Sequence, residues 1–253
     1  MKVQVLGCGT SSGVPMVTGF WGSCDPQNPK NRRRRASIML TMEDGYTLLV
    51  DTSPDLREQL LDADFERLDG IFYTHVHADH VHGIDDLRFL IQRQKSGVVE
   101  AYSTLDYVDV LEQRFDYIFK GVSNYPPLLK CVVIEEGLNC FGNHDFDVFR
   151  QPHGNMPSLG FRTGDFAYST DCVDLDDGHF ARLEGLKVWI VDAVRYKPHP
   201  THAHLDMVID WVERIKPEMT YLTHMATDMD YQALCATLPA YIRPAYDGLT
   251  LSL

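Results

Sequence analysis

Three histidines and one aspartate stand within six positions, in the segment Thr74-His75-Val76-His77-Ala78-Asp79-His80. The segment directly follows Gly70-Ile71-Phe72-Tyr73, an apolar run that is typical of a buried strand. Neutral imidazole and carboxylate are ligands that suit zinc, manganese and iron. Because residues that alternate along an extended loop can face one centre, His75 and His77 could hold one metal ion while Asp79 and His80 hold a second. The alternative is a solvated polar loop that happens to be rich in histidine.

The same arrangement, an apolar strand followed by a residue able to bind or orient a metal, recurs along the chain. Sites in α/β folds lie beyond the carboxyl ends of strands, so these residues are expected to meet. Taken singly, His153 or His224 is more often an interior histidine, but together with the cluster at 75–80 the metal interpretation is favoured. The strand-end residues are Asp51, His75, His153, Asp171 and His224.

Strands and helices that could position these residues extend over the whole chain. With no repeat and no linker-like stretch, the pattern predicts one α/β domain over residues 1–253. Strands are predicted at Lys2–Leu6, Ser37–Met42, Tyr46–Val50, 70–74, Val98–Tyr102, Cys131–Ile134, Phe146–Arg150, Leu159–Arg162, Phe166–Ser169, Val188–Val191 and Met219–Leu222. Helices are predicted at Asp55–Ala63, Gly83–Gln94, Thr104–Phe119 and Leu205–Ile215.

The composition is that of an ordinary globular protein, with 44% hydrophobic and 23% charged residues. The sequence shows no run of about 18 apolar residues and no basic, apolar leader, so we expect a cytoplasmic protein without a membrane partner. The 36 acidic and 23 basic residues give a net charge of −13, which disfavours nonspecific binding to nucleic acid. The six cysteines include no pair at two-residue spacing and are expected to be reduced.

Two segments outside the strand ends could contact phosphate. The glycine-rich run Gly7 to Pro15 follows a strand, and backbone amides in such a loop can approach an anion, although most loops of this kind are simple turns. It lacks the lysine of a phosphate-binding P-loop. The run Arg32 to Arg35 is either a solvated charged edge or an anchor or phosphate site.

The order of the strand-end residues resembles the metallo-β-lactamase superfamily, whose fold is an αββα sandwich. Within it, four segments resemble the phosphoribosyl cyclic phosphate phosphodiesterases of the carbon–phosphorus lyase pathway. That branch commonly carries a cysteine cluster in the early loop for an extra zinc, whereas Trp21-Gly22-Ser23-Cys24-Asp25-Pro26 keeps only Cys24. We therefore predict no structural zinc. The four segments are Gly9 to Pro15, Asn31 to Arg35, His82 to Arg88 and Tyr221 to His224.

The resemblance implies a two-metal centre, for which zinc and manganese are the expected ions. Two such ions can share a water, so a bridging hydroxide is the expected nucleophile. A phosphodiester also needs a general acid: the resemblance implies His202, oriented with Asp79, and His204 in the same segment is an alternative. The ligands implied are His75, His77 and His153 for one metal, Asp79, His80 and His224 for the other, and Asp171 between them. Asp51 would hold the ligand loop. Candidate substrate contacts are Ser11, Ser12, Arg88, Arg162 and His204.

The predicted activity is hydrolysis of a small cyclic phosphate such as 5-phosphoribosyl 1,2-cyclic phosphate. The partner is then a small phosphorylated sugar or nucleotide, and a second copy of the chain is a further candidate partner. A nuclease resembling the endonuclease that trims tRNA 3′ ends is one alternative, although its projecting basic arm does not fit the short interval from His153 to Asp171. Lactone or thioester hydrolysis is another. A non-catalytic nucleotide-binding module is an alternative of a different class.

Overall fold

In the computed structural model, which describes residues 1–94 and 97–253, fourteen strands form two mixed sheets of seven strands each. Numbered along the chain, the first sheet contains β1 (Lys2–Gly7), β2 (Ser37–Thr41), β3 (Thr47–Val50), β4 (Gly70–Phe72), β5 (Val99–Ser103), β6 (Leu129–Val133) and β14 (Thr250–Ser252). The second contains β7 (Gly137–Phe141), β8 (His144–Gln151), β9 (Ser158–Thr163), β10 (Phe166–Ser169), β11 (Val188–Asp192), β12 (Met219–Thr223) and β13 (Ile242–Pro244).

Each sheet is antiparallel at one side and parallel at the other. The strand orders are β14-β1-β2-β3-β4-β5-β6 and β13-β12-β11-β10-β9-β8-β7. The run β3 to β6 is parallel in the first sheet, and the run β10 to β13 is parallel in the second. The parallel strands of each sheet therefore end at one edge.

The helices connect these strands. They are α1 (Leu56–Asp62), α2 (Ala78–Val81), α3 (Leu87–Gln94), α4 (Leu105–Arg114), α5 (Asp116–Phe119), α6 (Asp177–Leu183), α7 (Leu205–Ile215) and α8 (Tyr231–Thr237). With helices flanking two packed sheets, the architecture is the αββα sandwich, and the expected fold class is confirmed. Among the residues described, no helix has both the length and the apolar character needed to cross a membrane.

Aromatic side chains join the two sheets in the core. The ring of Phe72 in β4 packs edge-on against Phe161 in β9, with 5.4 Å between ring centroids. Phe141 in β7 stacks on Tyr102 in β5 at 4.3 Å. All four side chains are at most 3% exposed, so burial of large apolar surface holds the sheets together.

The structure differs from the predicted elements at several places. The helix predicted over Thr104–Phe119 is two helices, because Phe115 leaves the helical conformation at φ −126° and ψ 39°. The helix predicted from Gly83 begins with a 3₁₀ turn at Ile84–Asp86 before α3. The segment expected to be an extended loop over residues 75–80 enters α2 at Ala78, so Asp79 and His80 lie on a helical turn. The short elements β7, β13, β14, α6 and α8 also lie outside the predicted strands and helices.

Candidate metal centre

The predicted metal ligands meet where the strands of both sheets end. The segment with His75 to His80 follows β4, His153 follows β8, Asp171 follows β10 and His224 follows β12. A backbone bond from Leu159 N–H to the Thr74 carbonyl, 2.8 Å long, joins the two sheets beside the centre.

Three residues at this edge have a left-handed backbone. Asp51, Asp171 and His224 have φ values of 62°, 53° and 56°, and each directly follows or nearly follows the end of a strand. Positive φ is uncommon outside glycine, although Asp, Asn and His are enriched there. Such strain, on the order of 1–3 kcal/mol per residue, persists mainly at functional sites.

One group of ligand atoms comes from His75, His77 and His153. The ligand atoms of the three side chains lie within 4.8 Å of one another. His75 Nε2 is 2.9 Å from His77 Nδ1, and His153 Nε2 is 3.2 Å from the same atom. Three imidazole nitrogens that converge on one point are the donor set for a divalent transition metal.

A second group comes from Asp79, His80 and His224. Asp79 Oδ2 lies 3.3 Å from His80 Nε2 and 3.6 Å from His224 Nε2. Both Nε2 atoms are buried and make no hydrogen bond. Because a buried nitrogen without a partner is costly, a cation shared with Asp79 is the partner that fits this geometry.

Asp171 lies between the two groups. Its Oδ2 is 3.2 Å from His80 Nε2, and its Oδ1 is 3.5 Å from His224 Nε2 and 3.6 Å from His153 Nε2. A single carboxylate that faces ligands of both groups has the position of a bridge. The structure thus brings all seven predicted ligands together. Among residues 1–94 and 97–253, the groups that could hold a metal ion all belong to this centre.

The charges of the centre favour a cation. Burial opposes a positive charge on His80, but Asp171, Asp79 and Asp51 outweigh it and raise its pKa well above the ordinary value. At His224, burial is likewise outweighed by Asp171, Asp79 and Asp192, which raise the pKa to about 9. Burial would raise the pKa of Asp171, yet His224 and His80 hold it well below its usual range. The carboxylates therefore create a negative potential where the ligand nitrogens converge.

Asp51 orients the segment Thr74 to His80 through hydrogen bonds. Its Oδ2 accepts a hydrogen bond from His80 Nδ1 at 2.7 Å and from the Thr74 hydroxyl at 2.8 Å. Its Oδ1 accepts from the Thr74 backbone N–H at 2.8 Å. The carboxylate fixes the proton on Nδ1, which leaves Nε2 of His80 free to bind a metal.

His202 lies beside both ligand groups but is held by an aspartate that the sequence reasoning did not identify. Its ring is 4.7 Å from the rings of His153 and His224. Its Nδ1 lies 2.8 Å from Oδ2 of Asp192, a fully buried residue. The expected pairing with Asp79 is wrong, since Asp79 faces His80 and His224. Asp192 ends β11, which runs beside β12, and this register places its carboxylate between His202 and His224.

A family model described as the beta-lactamase superfamily domain matches residues 46–225, most of the chain. The chain belongs to the metallo-β-lactamase superfamily. A solved structure described as a new diphosphatase from the PhnP family is 35% identical to it. That structure superposes with a TM-score of 0.89 and covers 99% of this chain and 96% of its own. The fold and the histidine and aspartate groups are those of a metal-dependent hydrolase.

Two curated relatives are also similar to this superfamily member. An octanoyltransferase of Porphyromonas gingivalis is 32% identical over 255 residues, which are 98% of this chain and 51% of that protein. The chain therefore spans about half the length of this relative. A ribonuclease Z of Bradyrhizobium diazoefficiens is 30% identical over 132 residues, which are 51% of this chain and 44% of that protein.

In this metallo-β-lactamase-fold chain, the predicted metal ligands lie together, whereas the candidate substrate contacts are spread over several parts of the fold. The glycine-rich loop adjoins the centre, because the Cys8 carbonyl accepts a 2.9 Å bond from the N–H of Met225, which follows His224. In that loop Ser11 is exposed, and the Ser12 hydroxyl lies 3.0 Å from the Thr10 hydroxyl. The serines stay predicted substrate contacts.

The two candidate arginines have other partners. Arg162 donates to the carbonyl oxygens of Gly164, Arg182 and Glu184, at the end of β9 away from the centre. Arg88 lies 3.7 Å from Asp85. Within the described ranges, neither arginine forms a hydrogen bond or an ion pair with a predicted ligand. The structure therefore does not bring these two residues to the centre.

His204 and Arg33 of the arginine run are held inside the fold. His204 precedes α7, and its Nδ1 is buried without a hydrogen-bond partner. Arg33, only 2% exposed, donates to the carbonyls of Ala226 and Met229 at 3.2 and 2.6 Å. It therefore anchors the segment after His224, in accord with the anchoring interpretation. Cys24 Sγ lies 3.9 Å from the Arg33 guanidinium.

Proposed function

We propose that this chain hydrolyses a phosphodiester of a small phosphorylated sugar or nucleotide, such as a sugar cyclic phosphate. The observation that carries the proposal is the His202–Asp192 pair, which stands beside ligands of both metal groups. Cleavage of a phosphodiester expels an alkoxide, and an acid at this position could protonate it. A thioester, in contrast, expels a thiolate, which departs without a proton. The similarity to a PhnP-family diphosphatase supports phosphorus chemistry.

Each part of the centre has a distinct role in the proposed reaction. The two ligand groups would hold two divalent ions, zinc or manganese, and Asp171 lies between the groups. Such ions, when bound, would activate a water and stabilise charge on the oxygens of an in-line displacement. Asp192 accepts a hydrogen bond from Nδ1–H of His202 and fixes the ring. In its imidazolium form, which carries a proton on both ring nitrogens, His202 would donate the Nε2 proton to the departing oxygen as the phosphorus–oxygen bond breaks and would be left as neutral imidazole.

The test is a substrate panel with the purified protein loaded with zinc or with manganese. We expect turnover of 5-phosphoribosyl 1,2-cyclic phosphate and of bis(p-nitrophenyl) phosphate, and much slower hydrolysis of a lactone and a thioester. Metal content, measured on the same samples, shows whether two ions are bound per chain. Faster hydrolysis of the thioester or lactone than of either diester would contradict the proposal. Full loading without any hydrolysis would support a non-catalytic binding module.

A nuclease of the ribonuclease Z kind is the second candidate, since a ribonuclease Z is 30% identical over 132 residues. Two observations disfavour it. The net charge is −13, which repels a polyanion. The interval between His153 and Asp171 consists of the β9–β10 hairpin and short turns, which leaves no projecting arm there. Cleavage of a precursor tRNA faster than of the cyclic phosphate would favour this candidate.

A further inference from the structure

Three polar side chains are buried together beside Asp171 but belong to neither ligand group. Gln151 ends β8, Ser158 begins β9 and Thr170 follows β10, and each of the three is 0% exposed. Gln151 Nε2 donates a 3.1 Å hydrogen bond to the Ser158 hydroxyl. Apolar groups of the same shape can replace such hydrogen-bonded partners at little cost to stability. Packing alone therefore does not require these three residues, which we call the buried polar cluster.

The buried polar cluster holds the peptide that precedes Asp171. The Thr170 carbonyl accepts hydrogen bonds from Ser158 Oγ at 3.0 Å and from Gln151 Nε2 at 3.3 Å. The next residue, Asp171, has the left-handed φ of 53°. A backbone in this conformation persists where the surrounding structure fixes it. The two bonds to the Thr170 carbonyl therefore help to hold Asp171 at the centre.

A glycine on the neighbouring strand makes room for Gln151. A Cβ atom on Gly160 of β9 would lie 2.7 Å from Gln151 Oε1 and 2.6 Å from the ring of Phe149. Both of these side chains are buried and have no open space to move into. Any side chain at position 160 would therefore displace Gln151 from its two hydrogen bonds.

The Thr170 side chain contacts the carboxylate of Asp171 directly. Its hydroxyl donates a 2.7 Å hydrogen bond to Asp171 Oδ2. The same oxygen lies 3.2 Å from His80 Nε2 of the second ligand group, whereas Oδ1 lies 3.6 Å from His153 Nε2 of the first. Rotation of an aspartate carboxylate about its Cβ–Cγ bond is only weakly restricted by the side chain itself. The bond from Thr170 fixes the rotation at which one oxygen faces His80 and the other faces the first group.

We infer that Thr170 is a positioning residue for the two-ion centre, and that its hydroxyl holds Asp171 in the orientation that links the two ligand groups. Gln151 and Ser158 in turn hold Thr170. This inference rests on the two-ion centre of the proposed function. Without the hydroxyl the carboxylate can turn toward one ligand group, so one ion should be bound more weakly while the other is retained.

The experiment is a zinc titration of the metal-free protein, in competition with a chelator of known affinity and without any substrate. Thr170→Val keeps the shape of the side chain and removes the hydroxyl. We expect the affinity for one of the two ions to fall by roughly 10- to 100-fold, the usual cost of losing a hydrogen bond that orients a metal ligand. The affinity for the other ion should stay the same. Thr170→Ser, which keeps the hydroxyl, should bind both ions as the unmodified protein does.

Thr220→Val is the matched control. Thr220 lies on β12 and is also 0% exposed, and its hydroxyl has no hydrogen-bond partner among residues 1–94 and 97–253. The same substitution there should leave both zinc affinities unchanged, and thermal unfolding of the metal-free proteins compares their stabilities. Ser158→Ala removes one hydrogen bond to the Thr170 carbonyl and should weaken the same ion by a smaller factor. It tests the cluster in the event that Thr170→Val does not fold.

Unchanged affinities for both ions in Thr170→Val would overturn the inference. An equal loss in Thr220→Val would do the same, because a hydroxyl without a partner cannot position Asp171. In either case, two-ion binding by the unmodified protein leaves the proposed function standing. If the unmodified protein binds only one zinc ion, the two-ion centre of the proposed function fails, and the inference falls with it.

Discussion

Asp192 contacts His202 through a 2.8 Å hydrogen bond between Oδ2 and Nδ1, and its other oxygen lies 3.9 Å from Nδ1 of His224. The carboxylate therefore faces both the proposed acid and a predicted metal ligand. On the opposite sheet, Asp51 accepts a hydrogen bond from Nδ1 of the predicted metal ligand His80 at 2.7 Å. Each half of the sandwich therefore contributes one buried aspartate at a strand end that fixes the proton on an imidazole Nδ1.

Replacement of Asp192 should show whether it acts by orienting His202 or by supporting the metal ions. In Asp192→Asn the neutral amide oxygen accepts a weaker hydrogen bond from Nδ1–H of His202 than the carboxylate does. His202 therefore loses the group that fixes its tautomer and pairs with its charge. We expect kcat on a diester to fall by roughly 10- to 100-fold, the usual cost of removing such a support. Steady-state kinetics with metal analysis measures this. Asp210→Asn, on the exposed face of α7, is the control. Unchanged kcat in Asp192→Asn would remove Asp192 from the mechanism.

The role of His202 as an acid depends on the leaving group. His202→Ala should keep both metal ions and lower turnover of an alkyl diester by roughly 10²- to 10⁴-fold. With bis(p-nitrophenyl) phosphate the loss should be much smaller, because p-nitrophenolate departs without a proton. Equal losses on the two substrates would argue against general acid catalysis. Loss of metal instead would make His202 a ligand, since it also lies near His153 and Asp171.

The bridging position of Asp171 predicts a loss of metal. Asp171→Asn keeps the size of the side chain and tolerates the left-handed φ of 53°, so the fold should be preserved. The amide offers a single neutral oxygen in place of two charged ones, and we expect at least one ion per chain to be lost. Native mass spectrometry and elemental analysis measure the stoichiometry, with the exposed Asp174→Asn as the control. Two tightly bound ions in Asp171→Asn would be inconsistent with a bridge.

The metal ligands could be predicted from the sequence because each signal is local. An apolar strand that ends in His or Asp is visible without knowledge of the fold, as with Tyr221-Leu222-Thr223-His224. The same signal was available at Trp189-Ile190-Val191-Asp192, and reading it there would have added Asp192 to the candidates. Which carboxylate faces His202 could not be read in this way, because that depends on β11 lying beside β12.

The parts of the fold that could not be predicted depend on contacts distant in sequence. Strand β14 has three residues and exists through its pairing with β1, as in Lys2 with Ser252. The break at Phe115 interrupts a continuous helical pattern, and its ring packs 6.0 Å from that of His82. Arg162 is an ordinary strand arginine in the sequence, and only the folded chain shows that neighbouring carbonyls occupy its guanidinium.

A carboxylate outside the metal centre should give the protein a measurable pH dependence. Asp247 accepts hydrogen bonds from the backbone N–H groups of Arg34 and Cys8 at 2.7 and 3.2 Å. Burial nevertheless raises its pKa to about 7, against about 3.9 for an unfolded aspartate. The folded state therefore binds the proton more tightly, so this contribution to stability is full below about pH 4 and is lost as pH rises to about 7.

The free energy of unfolding of the unmodified protein should accordingly fall, relative to Asp247→Asn, by up to about 1.4 kcal/mol per pH unit across this window. Urea unfolding at several pH values from 4.5 to about 8 measures the difference. Both proteins keep the same metal centre, so titration of its histidines cancels in the comparison. As a control, the free energy of unfolding of the exposed variant Asp210→Asn should follow the pH profile of the unmodified protein. Parallel pH profiles for the unmodified protein and Asp247→Asn would mean that Asp247 is ionised throughout, because the two backbone N–H groups then outweigh its burial.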